Sequence, residues 1–249
     1  MISKWVGIQK SPPARGTWLY LPAVLVALAM TVPLFYLLIR AAGASPAAWS
    51  WLLRLQTLQI IGQSVGLALA VMLSAVIIGL PTAWLVTRTN LPAKTLWAAL
   101  LPLPLVIPSY VSAYLFVSLF APRGILQNLL EGWLGIERLP SIYGFWGAWL
   151  VLTLMTYPYV FLAVRTGLIR TDRSLEEAAR SLGYSAWKTF WKVTLLQLRP
   201  ALAASSLLVG LYVLRDFGAV SILRFTTFTR AIYLQYQSSI DRSAAALLS

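Results

Sequence analysis

The chain has 249 residues, of which 59% are hydrophobic and only 11% are charged, and its mean hydropathy is +0.75. A soluble domain of this length carries roughly 25% charged residues, so a water-facing globular protein is excluded. Cysteine and histidine are both absent, which excludes disulfides, thiol nucleophiles, imidazole base catalysis and the usual zinc sites.

Long uncharged stretches predict an all-α fold, a polytopic bundle of transmembrane helices. A bilayer core about 30 Å thick needs roughly 20 residues of helix. We expect about five spans and the start of a sixth, and the five have these approximate bounds: 18–39, 58–86, 95–120, 141–163 and 200–223. The second is long enough to tilt or to extend beyond the bilayer. The first is too long for a cleavable signal peptide, and no small-x-small site closes it before Arg40.

Prolines interrupt the third predicted span at Pro102, Pro104 and Pro108. Each proline removes a backbone donor, so one straight helix is not expected there. Two alternatives follow. The segment is an ordinary kinked helix, or it lines a pathway, because broken backbone at membrane depth is tolerated only against protein or a water-filled cavity.

The net charge of +13 raises the possibility of a nucleic-acid partner. Membrane proteins, however, collect Lys and Arg in cytoplasmic loops, where these residues contact anionic lipid. Most basic residues fall on the side of the N-terminus, chiefly in the loop 165–199. We therefore expect contact with membrane lipid, no nucleic acid, a cytoplasmic tail at 1–17 and a cytoplasmic 165–199 loop.

The 165–199 loop predicts two short helices. Ser174 is the predicted N-cap of the first, Glu177 completes a capping box, and Gly183 suits the C′ position with a positive φ. One face of this helix carries Leu175, Ala178, Ala179 and Leu182. A helix this short is unstable alone in water, so it needs a surface to pack on. Ser185 is predicted to cap a second amphipathic helix that carries Trp187, Phe190 and Trp191.

The spacing in this loop resembles a family motif. Glu-Ala-Ala at 177–179 is followed by a glycine at 183 and Val-Thr-Leu at 193–195. This spacing resembles the EAA loop of permease subunits of bacterial ATP-binding-cassette importers. The family usually has proline where this chain has Leu196, whereas Pro200 matches its second proline position. A capping box in an ordinary membrane-surface helix would not explain the whole spacing. The resemblance implies contact with an ATPase by Glu176, Glu177, Ala178, Ala179, Gly183, Val193 and Leu195.

The resemblance implies a multi-pass protein of the bacterial inner membrane with several partners. These are a cytoplasmic ATPase dimer, a periplasmic substrate-binding protein and a second permease half, fused or separate. The chain has no phosphate-binding loop, so we expect no cofactor and no enzymatic activity in it, with ATP bound by the partner. A passive channel or a membrane-embedded enzyme is the alternative. The enzyme would need clustered His, Cys or acids, and the channel would need no capped cytoplasmic helix.

Further motifs resemble the ferric-iron branch of these permeases, whose two halves are often fused. They are Tyr-Pro-Tyr-Val at 157–160 and the segments 216–221 and 227–233. The resemblance implies ferric iron as substrate, with sulfate, thiamine and polyamines as alternatives. We expect 18–249 to be a permease domain truncated at its C-terminus, because 243–249 would form only about 10 Å of helix.

Two charges lie near the end of the fifth predicted span, at Arg215 and Asp216. If the helix continues to Leu223, both lie inside the membrane, and Asp216 lines the substrate path or orders the turn that follows. If the helix ends early, the pair is interfacial. The candidate translocation path consists of Arg215, Asp216, Phe217, Gly218, Pro104 and Pro108.

Overall fold

The computed structural model describes residues 17–42, 54–121, 124–134 and 139–238, and all regular secondary structure in these ranges is helical. The α-helices are α1 Thr17–Ala42, α2 Leu55–Arg88, α3 Lys94–Leu100, α4 Ser109–Leu119, α5 Ile125–Leu134, α6 Phe145–Arg170, α7 Arg173–Ser181, α8 Ala186–Thr189, α9 Leu195–Arg215, α10 Gly218–Ile222 and α11 Phe228–Ser238. The predicted all-α polytopic fold is confirmed.

The chain divides into two compact units, one formed by residues 1–52 and 239–249 and the other by residues 53–238. Within the described residues the first unit consists of α1. This helix has 26 residues, or about 39 Å of length, and its large apolar side chains are exposed. Such a surface suits a helix surrounded by hydrocarbon.

The second unit is built on long apolar helices. Within the described residues, three are long and apolar enough to cross a membrane: α2, α6 and the continuous run Ala186–Arg215. Helices α2 and α6 approach closely at Gly79, where a Cβ atom would lie 2.8 Å from Cβ of Val160. Small residues permit this approach, and the buried core follows the same contact through Leu67, Val71 and Phe161.

The third predicted span is broken, as the prolines indicated. Helix α3 is followed by a 3₁₀ turn at Leu103–Val106, and α4 then leaves at an angle of 95°. This angle is far sharper than a proline kink and fits a broken span or a re-entrant loop. The hydroxyl of Tyr157 on α6 donates to the Leu101 carbonyl at 2.9 Å, which gives a partner to a backbone group beside the break.

The bounds predicted for the fifth span, 200–223, are wrong at both ends. The helical run begins at Ala186, continues through a π-helical turn at Phe190–Thr194, and ends at Arg215. Pro200 lies inside α9 without ending it. The segment after Phe225 contains α11. The predicted start of a sixth span at Arg242 lies outside the described residues.

Candidate functional site

The long helices of the second unit bring two sets of predicted residues to opposite ends of the bundle. At one end, which we call the Arg88 end, α2 and α6 finish and the run Ala186–Arg215 starts. At the other, the Asp216 end, that run finishes beside the start of α4. The predicted coupling residues cluster at the Arg88 end, and several of the predicted path residues cluster at the Asp216 end.

Helix α7 is capped by Asp172 and not, as predicted, by Ser174. The Asp172 Oδ1 atom accepts a hydrogen bond from the Ser174 backbone N–H at 2.9 Å, so the helix starts at Arg173. Asp and Ser are equally good N-caps, but a carboxylate also interacts favourably with the helix dipole. Hydrogen bonds from the Ser174 backbone and side chain lower the pKa of Asp172.

This cap predicts a pH-dependent helix start. Because the pKa of Asp172 is lowered in the folded state, its stabilisation is present above the unfolded value, near 3.9, and is lost as pH falls through the folded value. We expect Asp172→Ala to speed hydrogen exchange at the start of α7 at pH 7. Asp172→Asn keeps a neutral cap and should keep most of the protection. Exchange mass spectrometry measures both, and equal exchange in the alanine variant and the native chain would rule out the cap.

The C-terminus of α7 depends on Gly183, as predicted. This residue has φ of +85°, its N–H donates to the Arg180 carbonyl at 2.9 Å, and the Tyr184 N–H donates to the Ala179 carbonyl at 3.1 Å. These two bonds form a Schellman motif, which places a left-handed residue at C′. The predicted second helix is also confirmed, because Ser185 Oγ accepts from the Lys188 N–H.

A polar network fixes α7 to the bundle. Oε1 of Glu176 lies 3.2 Å from Nη2 of Arg88 and accepts a hydrogen bond from the Thr194 hydroxyl at 3.0 Å. Arg88 also donates to the Thr171 hydroxyl at 2.9 Å. The Arg88 and Glu176 side chains are only 8% and 17% exposed. The sequence analysis did not predict a role for Arg88, because this residue is far from Glu176 along the chain. The available signal was a lone arginine at the end of an apolar helix.

The predicted apolar face of α7 is partly buried and partly exposed. Ala179 is buried against the bundle, whereas Leu175 and Leu182 are 53% and 81% exposed. Ala178 lies between those leucines and is also exposed. We call Leu175, Ala178 and Leu182 the exposed coupling face. Glu177 is exposed as well.

The remaining predicted coupling residues follow α8. Val193 lies in the π-helical turn and Leu195 begins α9, both partly buried. Leu195 also lines an apolar groove of about 650 Å³ beside Trp84 and Trp187.

At the opposite end, Asp216 joins three elements. Its side chain is buried, Oδ2 accepts a hydrogen bond from the Ser109 hydroxyl at 2.5 Å, and Oδ1 accepts from the Ala219 N–H at 2.9 Å. The Thr229 hydroxyl donates to the Asp216 carbonyl at 3.0 Å. The helix ends at Arg215 and does not continue to Leu223, and the Asp216 carboxylate accepts a hydrogen bond from the backbone of the turn that follows.

Some of the other candidate path residues contact neighbouring elements at this end, and others do not take part in the Asp216 contacts. Gly218 lies so close to α4 that a Cβ atom would be 2.8 Å from Cβ of Tyr110, and Pro108 immediately precedes α4. The ring centroids of Phe217 and Tyr233 lie 4.7 Å apart. Two candidate residues take no part in the Asp216 contacts: Arg215 is exposed over the Tyr212 ring, and Pro104 is in the 3₁₀ turn.

The Asp216 contacts predict a local stability effect. Asp216→Ala removes the carboxylate that accepts from the Ser109 hydroxyl and from the Ala219 N–H, and the buried Ala219 N–H left unsatisfied costs about 1–3 kcal/mol. We expect a clear loss in the free energy of unfolding, measured by SDS titration of the purified chain. Arg215→Ala, next to it but exposed, is the control and should have little effect. Equal losses in the two variants would show that the Asp216 contacts add no stability.

Comparison with known proteins decides the family. Residues 75–248 match the family described as "Binding-protein-dependent transport system inner membrane component". The chain belongs to this family. Members of this family are inner membrane components of binding-protein-dependent transport systems, and the relatives described next are named as transport permeases.

Several relatives support the assignment to this permease family. The chain is 34% identical over 233 residues to the Fe(3+)-transport system permease protein FbpB 2 of Haemophilus influenzae, which covers 93% of this chain and 42% of that protein. It is 33% identical over 196 residues to the molybdenum transport system permease protein ModB of Escherichia coli K12, covering 75% of this chain and 84% of that protein. The permease thus spans less than half the length of FbpB 2.

Solved structures agree on the fold of the permease. A bacterial alginate ABC transporter, in complex with an alginate pentasaccharide-bound periplasmic protein, aligns with a TM-score of 0.69 at 16% identity. The alignment covers 92% of this chain and 87% of that one. At this identity the likeness concerns the fold alone.

Proposed function

We propose that this permease imports ferric iron delivered by a periplasmic binding protein, and that a cytoplasmic ATPase drives it by docking on α7. The main support for the ATPase role is that one side of α7 is fixed to the bundle and another side is exposed. Glu176 and Ala179 fix the helix to the bundle, while the exposed coupling face has no covering element in the described part of the chain. An apolar row on a short helix, held rigidly at a bundle end, suits the groove of a partner.

The contacts of α7 indicate how docking reaches the membrane. The Arg88–Glu176 ion pair joins α7 to α2, and the bond from Thr194 to Glu176 joins it to the π-helical turn. From that turn α9 runs to Arg215, beside the Asp216 cluster. Displacing α7 therefore displaces a continuous helix that ends at the candidate path. Nucleotide shifts the two-state equilibrium because the ATPase contacts this helix differently in each state.

The remaining partners and the orientation follow from the same proposal. The Arg88 end and the tail 1–17 face the cytoplasm, which the excess of Lys and Arg on this side supports. The importer contains an ATPase dimer, a periplasmic binding protein at the Asp216 end and a second permease half, fused or separate. Residues 18–249 form the permease domain in this arrangement.

Two substrate classes compete. Ferric iron is favoured by the similarity to FbpB 2, which extends over 93% of this chain, and by the segments 216–221 and 227–233. An oxyanion such as molybdate is the second candidate, because the match to ModB covers 84% of that relative at nearly equal identity.

Uptake by the complete importer in membrane vesicles, loaded with its binding protein, separates the two substrates. We expect ATP-dependent accumulation of labelled ferric iron and none of labelled molybdate. Replacing ATP with a non-hydrolysable analogue is the control for active transport. Accumulation of molybdate without ferric iron would contradict the iron proposal and leave the permease role intact.

A further inference from the structure

A small basic cavity lies at the Arg88 end, away from α7. It has a volume of about 210 Å³ and lies between the end of α2, the start of α3 and the last turns of α6. Its polar lining consists of Thr87, Lys94, Thr95 and Arg165, and its remaining walls are apolar. None of these residues belongs to the coupling site or to the candidate path.

The cavity has uncompensated positive charge. Lys94 and Arg165 both line it, and no carboxylate is among its lining residues. Two acids at this end of the bundle have other partners, since Glu176 pairs with Arg88 and Asp172 caps α7. Two like charges beside apolar walls repel more strongly than they would in water, so an anion between them would be stabilising.

An unsatisfied hydroxyl points to the same ligand class. The Thr87 Oγ1 atom is buried and has no hydrogen-bond partner among the described residues. Buried hydroxyl groups are nearly always hydrogen-bonded in native proteins, so this atom indicates a missing acceptor or donor. A guanidinium fork, an ammonium and hydroxyl donors together match the oxygens of a phosphate group.

We propose that this cavity binds the phosphate group of an anionic phosphate ester at the membrane boundary. Thr87 is one residue from the end of α2 and Lys94 is the first residue of α3, so the cavity lies level with helix ends. Val86, Ala98 and Ile169 form its apolar walls, and Ile169 is exposed. Basic pockets between transmembrane helices at this level bind phospholipid headgroups. A phospholipid and a free phosphate compound are the two sources of the group.

Native mass spectrometry of the purified full chain tests the site. The chain is incubated with phosphatidylglycerol and phosphatidylcholine of identical acyl chains. We expect preferential retention of phosphatidylglycerol, weakened about tenfold in the Lys94→Gln/Arg165→Gln variant, because charge-assisted bonds are lost. The Lys188→Gln/Arg199→Gln variant removes the same charge from exposed residues outside the cavity and should behave as the native chain. Thr87→Val keeps all charges and nearly the same shape, and should weaken retention as well.

Competition with inorganic phosphate at millimolar concentration distinguishes the sources. Displacement of the lipid indicates that free phosphate occupies the cavity, and no displacement indicates the lipid headgroup. Unchanged phosphatidylglycerol retention in both the double variant and Thr87→Val, or an equal loss in the exposed control, would overturn the site. The proposal would also be wrong if the Lys94→Gln/Arg165→Gln variant lost binding to the ATPase but retained phosphatidylglycerol. That result would indicate that the cavity binds a protein carboxylate.

Discussion

Replacing Gly183 with valine is expected to lower ATP-driven uptake about tenfold while the permease still inserts into the membrane. Gly183 has φ of +85°, and a Cβ atom there would meet nothing within 4 Å, so the effect is conformational and not steric. A β-branched residue in this conformation costs on the order of 1–2 kcal/mol, which shifts a conformational equilibrium by about tenfold. The Schellman motif then opens, and Leu182 leaves the position that the exposed coupling face requires.

Proteoliposomes containing the permease, its ATPase and its binding protein measure this effect. Asparagine tolerates the left-handed conformation, so Gly183→Asn is the matched control and should transport nearly normally. The valine variant is expected to keep hydrolysing ATP while its transport falls about tenfold. Normal uptake by that variant would show that the geometry of this turn does not matter for coupling.

The second large effect is expected at Gly79, where α2 meets α6. A Cβ atom there would lie 2.8 Å from Cβ of Val160 and 3.0 Å from the Phe161 backbone nitrogen. Because backbone cannot yield as a side-chain end can, Gly79→Val should cost more than the usual overpacking penalty of about 1–3 kcal/mol. We expect little monodisperse protein after detergent extraction, and a markedly lower stability in SDS titration.

Gly66 supplies the control for this substitution. It lies in the same helix, and a Cβ atom there would meet nothing within 4 Å. Gly66→Val introduces the same side chain and the same change in helix propensity, so it should be tolerated. Similar stability of the two valine variants would mean that the close approach of α2 and α6 at Gly79 is not needed.

Local sequence signals predicted the features that depend on local chemistry. Long uncharged stretches predicted the long helices, because a chain in hydrocarbon must satisfy its own backbone groups, and the prolines at 102, 104 and 108 indicated that the third span is not one straight helix. A glycine after a short amphipathic helix predicted the positive φ of Gly183. These features are decided within a few residues, so the sequence carries them directly.

Errors arose where two local solutions were nearly equal in energy. Asp172 and Ser174 are both good N-caps, and the sequence alone does not choose between them. The fifth span was extended past Arg215, because hydrophobicity continues there, whereas the side-chain contacts of Asp216 with α4 and α10 end the helix.

The polar network of α7 required tertiary information. Arg88, Thr171, Glu176 and Thr194 come together only once α2, α6 and the π-helical turn have packed. No local pattern links an arginine at the end of one span with a glutamate two spans later. The same reason explains why the basic cavity of Lys94 and Arg165 could not be expected from the sequence.

Docking of α7 on the ATPase is tested most directly by cross-linking from its exposed coupling face. The chain contains no cysteine, so Leu182→Cys introduces a single thiol. Leu207→Cys, on an exposed face within α9, is the matched control. A short thiol-to-amine reagent should join position 182 to the ATPase subunit in the working importer, with a yield that changes on ATP binding, and should give no adduct from position 207. Absence of an adduct from position 182, in an importer that still hydrolyses ATP and transports, would contradict docking through α7.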